Sequence, residues 1–234
     1  ELSCHGRGGI FEGKIAEAKA GQMYKYRIYH YDGSVTDKAD PYGFGMELRP
    51  CSASIIRDRN AYVFSDEEWM KNMDKGYDLP MNIYEMHFGS WKATKDGCWY
   101  RYEEMAEELI PYLKEMGYTH VELLPLAEHP MDESWGYQCT GFFAPTSRYG
   151  TCDGLKQFVD TCHQAGIGVI LDFVMVHFAV DDARIKFCTK LAGKDSWFLP
   201  FDKGYNDGAG NPPNPDGIMT DYLWKDILTK EKLT

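Results

Sequence analysis

The sequence predicts an α/β fold from residue 82 onward, preceded by an N-terminal β segment. Three segments have the apolar composition and the length of strands, "NIYEMHF", "HVELLPL" and "GIGVILDFV". Two segments with apolar residues at helical spacing separate them, which gives the order βαβαβ. This order is common to a doubly wound parallel sheet and to a (β/α)8 barrel. The first strand is not followed by a Gly-rich phosphate-binding loop, and we therefore favour the first three βα units of a barrel.

The N-terminal β segment is predicted from the alternation of residues 10–31. Tyr24, Tyr26 and Ile28 share one face with period 2, and "AGQ" and "YDGS" are turn signals, the second typical of a hairpin. We expect an antiparallel meander with too few strands for an independent sandwich. The chain begins at Glu1 without Met, so we expect that part of a small β domain has been lost before residue 1.

A Gly- and Pro-rich connector, "KADPYGFGMELRP", follows the β segment. After it, "SDEEWMKN" predicts a short helix, with Ser65 as the N-cap and acidic residues in the first turn.

The two helices between the predicted strands have apolar stripes. The first is followed by Gly117 at the C′ position, and its apolar stripe consists of Met105, Leu109, Tyr112/Leu113 and Met116. Pro111 lies inside this helix and is expected to kink or split it. The second helix, in "DGLKQFVDTCHQAG", contains Leu155, Phe158, Val159 and Cys162 at helical spacing.

Composition and charge exclude several classes of partner. The net charge of −11 argues against binding to nucleic acid or to an anionic membrane. The seven cysteines form no C-x-x-C motif, and unpaired thiols fit a reducing, cytoplasmic compartment. No apolar run approaches the roughly 18 residues of a membrane span. No histidine has the spacing of a metal ligand set, so we expect no metal and no cofactor.

Candidate site residues follow the strands, because chemistry in parallel α/β folds collects at the carboxyl ends of strands. A loop of 25 residues, "LAEHPMDESWGYQCTGFFAPTSRYG", follows the second strand. Its aromatic residues argue against disorder, and a packed Ω-loop and a binding loop are equally compatible with it.

Asp172 and His177 follow the third strand and are five positions apart. In a regular strand, residues at this spacing face opposite sides, so both reach one pocket only if the chain leaves the strand between them. The pattern is weak, and on spacing alone a structural Asp and a surface His are the favoured interpretation.

The motifs together resemble a known family. The segments "ADPYGFGMELRPCSASII", "NIYEMHFGSW", "GYTHVELLPLAEHPMDESWGYQCTGFFAPTSRYGT" and "CHQAGIGVILDFVMVHF" resemble 1,4-α-glucan (glycogen) branching enzymes of the α-amylase superfamily. The similarity covers residues 7–180 almost without gaps, and the run after the second strand is specific to branching enzymes.

The resemblance implies a domain organisation. Residues 1–60 would be the C-terminal part of a β-sandwich carbohydrate-binding (starch-binding) type module. Residues 61–81 would be a linker helix, and residues 82–180 the N-terminal part of the catalytic (β/α)8 TIM barrel.

The resemblance also implies the site residues and the substrate, an α-glucan such as glycogen or amylose. Tyr137 matches the tyrosine that stacks on the sugar at the cleavage subsite, with Trp135 beside it. His177 matches the histidine that hydrogen-bonds the hydroxymethyl oxygen of that sugar. Asp172 matches the aspartate that maintains the architecture of the site.

Activity is not expected from this chain. The family performs retaining transglycosylation with a nucleophilic Asp in an R-x-D setting and a Glu as acid/base. No R-x-D occurs after His177, so the resemblance assigns no catalytic residue here and implies an inactive fragment. A non-catalytic α-glucan-binding module is an alternative, as is another superfamily member such as a debranching or trehalose-releasing enzyme.

Residues 181–234 are predicted to be an unrelated tail, a loop followed by a short helix. "SWFLPFDKG", "GAGNPPNP" and "TDYLW" resemble type I restriction endonuclease R subunits, which indicates a chimera with a join near residue 181. A restriction-complex component is therefore a third hypothesis, which the net charge disfavours. Because three βα units cannot close a barrel, we also expect self-association through an open sheet edge.

Overall fold

The structure is a computed structural model that describes residues 2–5, 10–73 and 79–174. The predicted tail at 181–234 and His177 lie outside the described residues. All described residues belong to one compact unit.

The described residues of the N-terminal β segment, 2–5 and 10–60, contain six short strands that pair antiparallel. Strand β1 (Ser3–His5) pairs with β2 (Ile10–Glu12), β3 (Met23–Tyr24) with β6 (Ser54–Ile55), and β4 (Tyr26–Tyr29) with β5 (Val35–Lys38). The hairpin at "YDGS" is confirmed, with Gly33 at φ 82°. The prediction that residues 10–31 form one meander is wrong. In a meander β2, β3 and β4 would pair with one another, whereas β2 pairs with β1, β3 with β6 and β4 with β5.

Three parallel strands form the sheet that the sequence predicted from residue 82 onward. They are β7 (Ile83–Met86), β8 (His120–Leu123) and β11 (Gly168–Leu171), in the spatial order β7-β8-β11. Along β8, Val121 and Leu123 are fully buried and alternate with partly exposed residues. This strand order occurs both in a barrel and in one half of a doubly wound sheet, so it does not by itself distinguish them.

Two helices cover one face of the sheet and pack against each other, α3 (Tyr102–Glu115) and α4 (Cys152–Gln164). Both predicted apolar stripes reach the core, which includes Met105, Leu109 and Leu113 of α3. The prediction that Met116 belongs to the buried stripe is wrong. Met116 is 54% exposed, because it is the C-cap and lies beyond the last turn of α3. Gly117 follows it with φ 75°, as the C′ position requires.

Two further helices are short. Helix α1 (Glu67–Asn72) has Asp66 rather than the predicted Ser65 at its N-cap position. Helix α2 (Phe88–Trp91) begins directly after β7, with His87 at its N-cap position.

The long loop after β8 has secondary structure of its own. Strand β9 (Ala127–Glu128) pairs antiparallel with β10 (Gly141–Pro145). A 3-10 turn, Asp132–Ser134, lies between these two strands, and a second one, Ser147–Tyr149, follows β10. The loop is therefore a folded unit between β8 and α4.

The linker before the sheet is attached to α4 by side chains. Asp160 of α4 accepts hydrogen bonds from the Tyr62 hydroxyl at 2.6 Å and from the Ser65 backbone N–H at 3.1 Å. His163 lies 2.7 Å from the Asp66 carboxylate and stacks on the Trp69 indole. These contacts hold the chain before β7 against the outer side of α4.

No helix within the described ranges is long and apolar enough to cross a membrane. Within the described ranges, Cys51, Cys98, Cys152 and Cys162 are free thiols.

Candidate functional site

The structure brings two of the four predicted site residues into direct contact. Tyr137 lies in the loop after β8, and Asp172 follows β11 directly. The Tyr137 hydroxyl donates a hydrogen bond to Asp172 Oδ2 at 2.9 Å. The Asp172 backbone N–H donates to the Leu123 carbonyl at 2.9 Å, which extends the pairing of β11 with β8 by one step. The carboxylate of Asp172 is thus fixed at the carboxyl end of the sheet.

The electrostatic surroundings keep Tyr137 protonated. Burial, followed by the hydrogen bond to Asp172, raises the pKa of Tyr137 to about 12. The negative charges of Glu85 and Glu122 act in the same direction. At neutral pH the phenol is therefore a hydrogen-bond donor, and the residue is 37% exposed.

Glu85 and Glu122 are functional candidates that the sequence analysis missed. They occupy equivalent positions on β7 and β8 and share the face opposite Val121 and Leu123. Two acids directly opposite each other on one sheet face repel each other and destabilise the pairing. The sequence contained a sign of this position for Glu122. Apolar and polar residues alternate in "HVELL", and the alternation places Glu122 on the sheet face that the helices do not cover.

Trp135 has an unusual backbone conformation. Its φ of 52° lies in the left-handed region, where a bulky side chain is a rare outlier. The Trp135 N–H donates to the Asp132 carbonyl, and the indole stacks on the His87 imidazole with the ring centroids 5.2 Å apart. The side chain is still 51% exposed. Outliers of this kind concentrate at ligand-binding sites.

The next residue, Gly136, cannot carry a side chain. Its φ is 89°, and a Cβ atom at this position would overlap the carbonyl oxygen of Pro125. This close approach to the end of β8 sets the direction in which the loop presents Trp135 and Tyr137.

A buried ion-pair network centred on Arg148 holds the loop. Its guanidinium lies 2.8 Å from Glu128 and 2.7 Å from Asp132 and donates to the His129 carbonyl. The Arg148 and Glu128 side chains are 1% and 4% exposed. Glu128 also accepts from the backbone N–H and the hydroxyl of Ser147, both at 2.7 Å. Both ends of the loop are therefore joined through two charged side chains.

The N-terminal segment contributes to the same network. Arg49 donates to Asp132 Oδ1 at 2.7 Å and forms a second contact with the other carboxylate oxygen. The hydrogen bond from Arg49, followed in size by the opposing effect of burial and then by Arg148, lowers the pKa of Asp132 to about 2. Asp132 is therefore ionised at any physiological pH and links residues before β7 to the loop after β8.

Within the described ranges, no group of three or more His, Cys, Asp or Glu side chains has the arrangement of a metal site.

A cluster of aromatic and carboxylate side chains at the carboxyl ends of parallel strands lies where the active sites of α/β enzymes are found, and the comparison with protein families identifies the family. The family model "Alpha amylase, catalytic domain" matches residues 103–226. The chain belongs to the α-amylase catalytic-domain family. A crystal structure of a putative α-amylase from Salmonella typhimurium is similar to it, with a TM-score of 0.61 and 29% identity over 76% of this chain and 28% of that one. The fold is thus part of a TIM-barrel-type fold.

Within that family, the chain is similar to 1,4-α-glucan branching enzymes. It is 54% identical over 175 residues to the enzyme of Bacillus caldolyticus, which covers 74% of this chain and 26% of the relative. It is 51% identical over 184 residues to the enzyme of Nitrosomonas europaea, which covers 77% of this chain and 25% of the relative. The chain spans about a quarter of the length of the curated relatives that it matches.

These matches confirm the resemblance to branching enzymes drawn from the sequence motifs. The family match also runs to residue 226, past the join expected near residue 181. The resemblance of residues 181–234 to restriction subunits stays a prediction, as do the domain boundaries and the role of His177.

Proposed function

We propose that this chain binds α-1,4-linked glucan at the carboxyl end of its parallel sheet, as the sugar-binding part of a 1,4-α-glucan branching enzyme. The observation that carries the proposal is the hydrogen bond from Tyr137 to Asp172. It joins the loop after β8 to the end of β11 at a distance of 2.9 Å. The similarity to branching enzymes supports glucan as the ligand.

The proposed roles of the site residues follow from their chemistry. Tyr137 is an exposed aromatic residue whose ring can stack on the C–H face of a pyranose. Trp135, two residues earlier, extends the aromatic surface. Asp172 orients the Tyr137 ring through the hydrogen bond, and its carboxylate can accept a further hydrogen bond from a sugar hydroxyl. His177, as a donor to the sugar, completes the proposed set.

The proposal is binding without turnover. Retaining glycosyl transfer requires a nucleophilic carboxylate and an acid/base carboxyl about 5–5.5 Å apart, and we assign neither role to a residue of this chain. An iodine–amylose assay is therefore expected to show no fall in absorbance. A progressive fall at catalytic protein concentration would contradict this part of the proposal.

Affinity electrophoresis in native gels tests binding with matched variants. The full chain is expected to be retarded in gels loaded with glycogen and not in gels without it. Tyr137→Ala is expected to abolish the retardation and Tyr137→Phe to reduce it, because Phe keeps the ring and loses the bond to Asp172.

Tyr62→Phe is the matched control, since it removes a tyrosine–carboxylate hydrogen bond to Asp160 of α4, away from the proposed site. Equal mobility of the Tyr137 variants and the unmodified chain in glycogen would overturn the proposal.

A further inference from the structure

A concavity of about 200 Å³ lies beside Trp135 and is not used by the Tyr137–Asp172 pair. Its walls come from the loop after β7, the loop after β8 and the turn before α4, all on the side where the strands end. Trp99 and Trp135 supply aromatic walls, and His87, His129, Asp132, Arg148 and Tyr149 complete the lining. The volume is below the roughly 300–1,000 Å³ of drug-binding pockets, which suits a ligand of one ring.

The charges around the concavity are balanced. Arg148 is paired with Glu128 and Asp132, and Asp132 is paired in addition with Arg49. Two guanidinium groups thus face two carboxylates, and an anion or a cation entering the concavity would disturb an ion-pair network whose charges are already balanced. The arrangement favours a neutral ligand.

The two histidines offer hydrogen-bonding groups without charge. His129 Nδ1 lies 2.9 Å from the Ala127 carbonyl oxygen, which can only accept, so Nδ1 carries the proton. Burial lowers the pKa of His129, and burial together with the neighbouring His129 lowers the pKa of His87. The neutral His129 ring therefore has Nε2 as an acceptor, suited to a hydroxyl donor.

Arg148 supplies a donor at the same place. Its Nη2 lies 2.7 Å from Asp132 Oδ1, yet it is fully buried and makes no aligned hydrogen bond. A buried donor without an aligned acceptor is costly, and a ligand hydroxyl at the cavity wall would satisfy it. An acceptor at Nε2 and a donor at Nη2 together match a hydroxyl-bearing ring.

We propose that this concavity is a second sugar-ring site, in which a pyranose lies against Trp99 and Trp135 and hydrogen-bonds to His129 and Arg148. Because Trp135 borders it and lies two residues from Tyr137, the ring it takes is a further unit of the glucan chain bound at Tyr137. The inference rests on the proposed function and adds Trp99, His129 and Arg148 to the binding residues.

Calorimetric titration of the full chain with maltoheptaose tests the proposal. Trp99→Ala is expected to weaken binding about tenfold, which corresponds to roughly 1.4 kcal/mol. Trp69→Ala, which removes an indole stacked on His163 and remote from the concavity, is expected to leave the affinity unchanged. Glucose 1-phosphate, an anionic probe, is expected to bind no more tightly than methyl α-glucoside.

A second readout covers the case in which Trp99→Ala fails to fold. In the chain labelled with 5-fluorotryptophan, the ¹⁹F resonance of Trp99, assigned with Trp99→Phe, is expected to shift saturably with maltoheptaose. The proposal of a second sugar-ring site is overturned if Tyr137→Ala weakens binding while Trp99→Ala does not. It is also overturned if the Trp99 resonance does not shift with maltoheptaose. In both cases the proposed function, glucan binding at Tyr137, still stands. Tighter binding of the phosphate would overturn the neutral-ligand argument, and no binding by the unmodified chain would overturn both proposals.

Discussion

Arg148 is the residue on which the geometry of the site depends most. A guanidinium at 1% exposure is stable only when its charge and its donors are matched. Glu128 and Asp132 supply the matching charge, and Glu128 also binds both polar groups of Ser147. One arginine thus determines where both ends of the loop lie.

The first prediction concerns Glu128. Glu128→Gln removes the negative charge next to Arg148 and leaves a buried cation with Asp132 as its remaining partner. We expect a loss of about 3 kcal/mol in the free energy of unfolding, the lower end for breaking a buried pair from one side. Urea denaturation followed by circular dichroism measures it.

Glu133→Gln is the control, since Glu133 is an exposed acid in the same 3-10 turn as Asp132. It is expected to change stability by less than about 0.5 kcal/mol. Equal effects of the two substitutions would show that the buried pair does not hold the loop.

Tyr137 and Asp172 show what could be predicted of single residues. The resemblance to branching-enzyme motifs identified both residues as site residues. The spacing of Asp172 and His177 alone had favoured a structural role for Asp172. The contact itself depends on the register of β11 against β8, where Asp172 follows the pair Leu171–Leu123. Long-range register of this kind leaves no local pattern in the sequence, so the hydrogen bond could not be predicted.

At the scale of elements, the loop between β8 and α4 depends on Gly136. Gly136→Ala forces a Cβ against the Pro125 carbonyl and places an L-residue at φ 89°. The expected cost is roughly 3 kcal/mol or more, from left-handed strain and overlap together, with loss of retardation in glycogen gels.

Gly97→Ala provides the matched comparison for that prediction. Gly97 has φ 76° and open space around it, so the substitution is strained but does not overlap a neighbour. Only about 1–2 kcal/mol should be lost, with glucan retardation preserved. If Gly97→Ala proves as damaging as Gly136→Ala, the close approach to Pro125 is not what positions the loop.

Helix α3 is not split at Pro111. It is continuous from Tyr102 to Glu115, so the predicted break is wrong, and the kink predicted as its alternative stays a prediction. Pro111 lies on the exposed face, where the proline ring does not disturb the stripe of Met105, Leu109 and Leu113. Burial of that stripe outweighs the local cost of one proline.

We therefore expect Pro111→Ala to stabilise the chain. The substitution restores the hydrogen bond from residue 111 to the Glu107 carbonyl, and the gain is partly offset by a more flexible unfolded chain. A net increase of about 1–2 kcal/mol is expected in denaturant unfolding. Glu107→Ala, on the same exposed face, should be close to neutral, and a loss of stability in Pro111→Ala would contradict the prediction.

The strands and helices of the sheet were predicted well because their signals are local. Helical spacing and apolar runs depend on a few neighbouring residues. Strands β7, β8 and β11 and helix α3 lie within their predicted segments, and α4 begins at Cys152, one residue before its predicted segment. The pairing of β3 with β6 joins residues about thirty positions apart. No short pattern encodes such a partner, so the predicted meander was wrong.

At the scale of the whole molecule, the N-terminal segment and the sheet are joined. Arg49 pairs with Asp132, and the Tyr42 ring stacks on Phe143 with centroids 5.6 Å apart. Tyr62 and Asp66 contact α4. The segment that resembles an accessory module therefore contacts the loop that presents Trp135 and Tyr137.

Self-association is predicted at the edge of the parallel sheet. Within the described ranges, β11 pairs with β8 alone, and Leu171 at its end is 50% exposed. Light scattering after size exclusion is expected to show a mass that increases with protein concentration, and Leu171→Lys should reduce it, because a lysine on an edge strand opposes pairing.

Val63→Lys is the control for that experiment, since Val63 is 80% exposed in the linker rather than on the sheet. It should leave the association unchanged. A concentration-independent monomer would contradict the prediction.

The most direct test of the central claim is a calorimetric titration of the full chain with maltoheptaose and, in parallel, with cellohexaose. We predict saturable binding of the α-linked chain that is lost in Tyr137→Ala and retained in Tyr62→Phe, and no binding of the β-linked chain. Equal binding of both oligosaccharides, or undiminished maltoheptaose binding by Tyr137→Ala, would contradict the account of an α-glucan site built on Tyr137 and Asp172.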